Sequence, residues 1–104
     1  ETDAAMFRLM SPGTFLINTS RGGIIDESAA AAALDAGQLA GLALDAYEQE
    51  PPSPDHELFR FPNVIATPHS GAQTVQSRSR MARGAVDNLL RALAGKPVTN
   101  LASD

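Results

Sequence analysis

The sequence predicts an α/β fold, one half of a doubly wound parallel sheet. Three short apolar runs, Thr14 to Asn18, Gly41 to Asp45 and Asn63 to Thr67, have the length of strands rather than helices. Two segments with helical patterning and stop signals lie among them. The runs are apolar without alternation, as expected for strands buried on both faces of a parallel sheet.

Taken in order, Asp3 to Met10 reads as the end of a helix cut short at its front. Ser11-Pro12-Gly13 is a turn, because proline fixes φ and glycine accepts positive φ. The strand Thr14 to Asn18 follows, then a loop at Arg21-Gly22-Gly23. Asp26 is placed to cap a helix that runs through the alanines to about Ala36, with Gly37 as its terminator. Alanine is the best helix former, so the run Ala29 to Ala33 is read as helix rather than low complexity. After the second strand, Pro51, Pro52 and Pro54 exclude regular structure. The third strand ends at Pro68.

A long helix is expected from Gly71 or Ala72, with Val75, Ala82, Val86, Leu89 and Leu93 near a 3.6 period. It should stop at Ala94-Gly95-Lys96-Pro97, and Val98 to Leu101 should be extended, with no partner strand in the chain. Strand, helix, strand, loop, strand, helix is the order of βαβ units, and three strands are few for an independent sheet. The chain therefore reads as half of a Rossmann-type domain.

Bulk properties narrow the function. A chain of 104 residues is one domain at most, and a formal charge of -4 argues against neutralising a nucleic-acid backbone. No apolar run approaches the roughly 20 residues of a membrane span, and no signal-peptide pattern is present. The first residue is Glu1 rather than Met, so a fragment or processed product is expected. The absence of cysteine excludes disulfides, thiolate catalysis and Cys-based zinc sites, and fits a cytoplasmic protein. No His, Asp or Glu cluster has metal-ligand spacing, so no metal is expected.

Polar residues concentrate where open parallel sheets bind ligands, beyond the carboxyl ends of the strands. The first strand delivers Asn18 to Gly23 to that rim, the second delivers Asp45 with Tyr47 and Glu50 behind it, and the third delivers Thr67 to Gly71. Each residue has a duller reading: Arg21, Glu50 and His69 as solvated surface groups, Asp45 as a turn former. His56, between Asp55 and Glu57, is read as solvent-exposed and non-catalytic. Arg78, Arg80 and Arg83 are read as a solvated or interface face of the long helix.

The runs Leu16 to Glu27, Gly41 to Asp45 continuing to Glu50-Pro51, and Pro62 to His69 resemble the D-isomer-specific 2-hydroxyacid dehydrogenases, over nearly the whole chain and in the family's order. That resemblance implies hydride transfer between NAD(P)H and a 2-keto acid or D-2-hydroxy acid. It implies that Arg21 binds the substrate carboxylate and polarises the keto oxygen, a task suited to a permanently charged guanidinium fork. It implies that His69 is the general acid/base, imidazole being able to serve both reaction directions, and that Glu50 orients it. Formate dehydrogenases resemble this layout but use Gln there, so Glu50 counts against formate oxidation.

Thr19, Ser20, Arg21, Asp45, His69, Gly71 and Ala72 would line the nicotinamide end of NAD or NADP. Residues 1–95 would then be the nicotinamide-side half of the cofactor domain, and residues 96–104 a segment returning to a substrate domain. The family's Gly-rich pyrophosphate fingerprint has no match here, so the chain alone is expected to bind nucleotide poorly and to be inactive. Its parent is expected to be a homodimer acting on a small acid, with no nucleic-acid or membrane partner. Two other readings stay open. One is phosphite oxidation, because Asn88 to Asn100 resembles that branch; the other is an NAD(H)-sensing corepressor-like protein.

Overall fold

Three parallel strands, β1 (Thr14–Asn18), β2 (Leu39–Leu44) and β3 (Val64–Ala66), form a sheet in that order. Their register sets Asn18 beside Leu44 and Leu44 beside Ala66, so all three strands run out at one rim. The computed structural model describes residues 1–98, and the chain divides between Gly71 and Ala72 into two units.

In the first unit, α1 (Ala4–Leu9) starts at its own cap: the Asp3 side chain accepts a hydrogen bond from the Met6 N–H at 3.0 Å. Thr2 pairs with Ile25 as a parallel bridge, so this helix begins here rather than continuing one cut short. Asp26 caps α2 (Glu27–Asp35) by accepting from the Ala29 N–H at 3.0 Å, and Gly37 ends it at φ 73°. Small side chains at Ala30, Ala31 and Ala33 let α2 lie close, and they are buried with Leu34, Leu39, Leu42 and Leu44 in the core.

Burial on both faces of the sheet does not hold within this unit. Burial alternates along β1, with Phe15 and Ile17 at 72% and 69% exposed, and Ile65 of β3 is open too. The physical reason is that the helices lie on one face, and no described element of the first unit covers the other.

The link from β2 to β3 spans residues 45–63 and contains no α-helix, only a 3-10 turn at Glu57–Arg60. Parallel neighbours need a crossover of about a dozen residues or more, and here a loop provides it. Its anchor is Leu58, fully buried, a burial worth roughly 1.5–3 kcal/mol. The Phe59 ring meets Tyr47 edge-on with centroids 6.1 Å apart.

The second unit holds α3 (Val75–Leu93), whose cap is Thr74, accepting from the Ser77 N–H at 3.0 Å. That cap explains why the helix starts later than Gly71 or Ala72. Gly95 at φ 67° terminates it. Arg78, Arg80 and Arg83 are exposed, and Arg91 pairs with Asp87 at 3.0 Å, a surface contact of small weight. The extended segment expected at Val98 to Leu101 lies, apart from Val98, outside the described residues. Among those residues no helix is long and apolar enough to cross a membrane, and no cluster of His, Asp and Glu is grouped to hold a metal ion.

Candidate active site

The rim at the carboxyl ends of the strands is built turn by turn. At the tip of β1 the buried Asn18 shapes its own loop: its amide donates to the Arg21 carbonyl at 2.8 Å and its Oδ1 accepts from the Ser20 N–H at 3.0 Å. Thr19, Ser20 and Arg21 are thereby displayed to solvent, the Arg21 guanidinium donating to the Ser20 carbonyl at 2.9 Å. Gly22 is buried because the turn abuts the next loop directly. A Cβ there would stand 1.8 Å from the Tyr47 carbonyl oxygen.

Behind β2, Tyr47 turns into the core and its hydroxyl donates to the Thr67 carbonyl at 2.8 Å. Burial pushes this phenol above its ordinary pKa, with the nearby Asp45 and Glu27 carboxylates adding to the effect. Glu50 bridges two partners. Its Oε1 accepts from the Tyr47 N–H at 3.1 Å and its Oε2 meets His69 Nδ1 at 2.7 Å. The Glu50 carboxyl is held below its usual range chiefly by the bond from His69, then by the Tyr47 N–H, with the Arg21 charge contributing.

His69 has φ 53°, the left-handed region that costs a non-glycine residue about 1–2 kcal/mol. Asp45 holds that conformation. Its Oδ1 accepts from the Thr67 hydroxyl at 2.6 Å and the Ser70 N–H at 2.8 Å, and its Oδ2 accepts from the Gly71 N–H at 2.8 Å. A Cβ on Gly71 would approach that Oδ2 to 3.0 Å, so the tight approach favours glycine. The Thr67 hydroxyl is the main cause of the depressed Asp45 pKa, followed by the Ser70 N–H, against the opposing effect of burial.

Both depressed carboxyls carry a consequence for acid stability. A carboxyl whose folded pKa lies below its unfolded value stabilises the fold above the unfolded value and loses that contribution as pH falls through the folded one. Urea midpoints should therefore be level from neutrality to mild acid and drop below about pH 4. Asp45→Asn should flatten that drop, and identical acid slopes for variant and parent would refute the brace.

The structure thus brings Glu50 and His69 into direct contact and sets Arg21 within electrostatic reach of Glu50. Thr19, Ser20 and Gly71 are exposed on the rim, whereas Asp45 lies buried behind the His69 turn. Ala72 opens the second unit. Sequence reasoning missed the support roles of Tyr47 and Thr67, which carry no local signature. It also misjudged the exposure of His56. That side chain is partly buried, with Nε2 2.6 Å from Glu27 Oε2 and Nδ1 accepting the Leu58 N–H at 3.1 Å. A partner 29 positions away in the chain leaves no trace in the residues flanking His56.

The family model for D-isomer specific 2-hydroxyacid dehydrogenase, NAD binding domain, matches residues 2–71. The chain is 50% identical over 91 residues to the glyoxylate/hydroxypyruvate reductase B of Enterobacter agglomerans, covering 88% of this chain and 28% of that protein. The NADPH-dependent glyoxylate/hydroxypyruvate reductase of Sinorhizobium meliloti, solved with NADP and malonate, superimposes with a TM-score of 0.88 at 34% identity, covering 98% of this chain and 32% of the other. The D-lactate dehydrogenase of Lactobacillus jensenii, solved with NAD+, gives 0.79 at 26% identity, with 98% and 34% covered. The chain thus spans about a third or less of the length of these proteins. On a model match that takes in the whole rim from Arg21 to Gly71, this chain belongs to the D-isomer specific 2-hydroxyacid dehydrogenase family and corresponds to part of its NAD-binding domain.

Proposed function

We propose that this chain is the nicotinamide-side half of the cofactor domain of a cytoplasmic, homodimeric NAD(P)-dependent D-2-hydroxyacid dehydrogenase that reduces a small 2-keto acid. Residues 96–104, of which 99–104 lie outside the described residues, are then assigned to the segment that returns to a substrate domain, and the chain without the rest of its enzyme is inactive. Glyoxylate and hydroxypyruvate are the favoured substrates, because reductases named for them are among the similar proteins. The observation that carries the reading is the 2.7 Å contact of His69 Nδ1 with Glu50 Oε2. An ionised carboxylate only accepts, so the proton of that bond sits on Nδ1. Nε2, which has no protein partner among the described residues, is the atom left to exchange a proton with the substrate oxygen. Arg21, exposed at the tip of the β1 turn, binds the substrate carboxylate and polarises the keto group.

The rim suits a nicotinamide. Exposed hydroxyls at Thr19 and Ser20 and the Asp45 Oδ2, which accepts a single hydrogen bond from Gly71, form a donor and acceptor set that a carboxamide can satisfy. Thr19, Ser20, Arg21, Asp45, His69 and Gly71 would hold that end. The cofactor, when bound, supplies the hydride. The protein's part is to fix the acid, align the keto acid and exclude competing geometry.

A substrate panel on the enzyme that carries this chain tests the reading. Oxidation of NADPH or NADH with glyoxylate or hydroxypyruvate is expected. Turnover with phosphite alone would assign the phosphite branch, and nucleotide binding with no turnover on any acid would favour a sensing protein.

A further inference from the structure

Besides Glu50 and His69, the described residues hold one more acid–imidazole pair, Glu27 with His56. Glu27 is the first residue of α2 and only 5% exposed. Its Oε2 meets His56 Nε2 at 2.6 Å and its Oε1 accepts from the Glu48 N–H at 2.7 Å. Glu48 returns the contact, its Oε1 accepting from the Glu27 N–H at 3.0 Å. One residue further along α2, the Ser28 hydroxyl donates to Glu57 at 3.1 Å. The first turn of α2 therefore grips the β2–β3 loop at residues 48, 56 and 57, on either side of Glu50.

The tautomer follows from the partners. His56 Nδ1 accepts the Leu58 N–H, so it carries no proton, and Nε2–H donates to Glu27. A buried carboxylate held by a backbone N–H, an imidazole N–H and a helix N-terminus has every bond direction specified. An apolar contact could hold the loop as firmly, but it would not fix the loop's angle to within a hydrogen bond. Such angular control matters here because Glu50 lies two residues from Glu48 and must meet His69 at bonding distance.

We propose that Glu27 and His56 are a positioning pair for the acid–base dyad, acting through the Glu48 backbone and the imidazole to set where Glu50 meets His69. The role rests on the dehydrogenase reading above. Neither residue touches substrate or cofactor.

The test uses the whole enzyme that carries this chain. In E27Q, one of the two donors facing the side chain must confront an amide NH2. In H56N, the Asn oxygen can still accept the Leu58 N–H, so the turn stays capped while the reach to Glu27 is lost. Both variants should lower kcat about tenfold with KM for the keto acid within about twofold, as expected when a reacting group is misplaced rather than a binding contact removed. The limb of the pH–rate profile that reports Glu50 should move towards alkali, because a loosened contact with His69 removes the main cause of its depressed pKa. H56Q, which restores a donor towards Glu27, should recover much of both. Variants that lower the melting temperature yet keep wild-type kcat and pH profile would overturn the positioning role, and H56N serves where E27Q fails to fold. His69→Ala, run alongside, separates the two levels: its inactivity with unaffected E27Q and H56N defeats only this inference, whereas its full activity defeats the dehydrogenase reading as well.

Discussion

Replacing His69 by alanine in the whole enzyme that carries this chain should lower kcat by about 10²–10⁴-fold, the usual contribution of a positioned acid/base group, a far larger effect than the one on nucleotide affinity. The geometry sets that expectation. Nδ1 is committed to Glu50 at 2.7 Å, which orients the ring and, in the function proposed above, leaves Nε2 for the substrate oxygen. Asp45, through the Ser70 and Gly71 N–H groups, holds the turn at φ 53°. A residue kept in a sparsely populated conformation by a buried carboxylate is maintained by its surroundings, and such strain clusters at working sites. Glu50→Gln should be milder than His69→Ala, because the amide oxygen still accepts a hydrogen bond while the charge is gone. Pre-steady-state reduction of the keto acid, with nucleotide affinity measured separately by calorimetry, checks both variants. Wild-type turnover in His69→Ala would remove the central claim.

The second large effect lies at a residue with no chemistry of its own. A Cβ on Gly22 would stand 1.8 Å from the Tyr47 oxygen, 2.0 Å from its carbonyl carbon and 2.5 Å from the Glu48 nitrogen. All three are backbone atoms, so no side chain can swing aside, and either the Arg21 turn or the Tyr47–Glu50 segment must shift by roughly 1 Å or more. Those two segments carry the guanidinium and the carboxylate of the proposed site. Gly22→Ala should therefore destabilise the fold by about 3 kcal/mol and lower kcat/KM roughly a hundredfold in whatever folds. Gly23→Ala is the control, since nothing lies within 4 Å of its added methyl, and it should stay within about 0.5 kcal/mol of the parent. Urea unfolding of the pair settles the matter: equal midpoints would show that the close contact is absent.

The same contacts rank the rim residues by what each supports. The Arg21 side chain is exposed and, among the described residues, hydrogen-bonds only the Ser20 carbonyl, so its loss should spare stability and, in the function proposed above, weaken substrate capture. Asp45 is buried with three donors aimed at it, so its loss should be felt in the His69 turn before it is felt at the ligand.

Local chemistry makes much of this protein legible from its residues alone. Asp26 and Gly37 bound α2 as expected because caps depend on a residue and the four or so that follow it. Length and apolar composition place all three strands, and the parallel arrangement follows from the helix and long loop between them. Arg21, Glu50 and His69 can be singled out as candidates because strand tips in a parallel sheet share one rim, while the roles proposed for them come from the family resemblance.

What the residues leave undecided depends on contacts between distant parts of the chain. Whether β1 is covered on one face or two is a matter of which layers are present, and the exposure of Phe15 and Ile17 shows a single layer in the first unit. His56 reads as loop decoration until the fold sets Glu27 beside it, and Tyr47 gives no hint that its hydroxyl ties the β2 and β3 tips together. Periodicity and capping are written in neighbouring residues; burial and long-range pairing exist only once the chain has closed on itself.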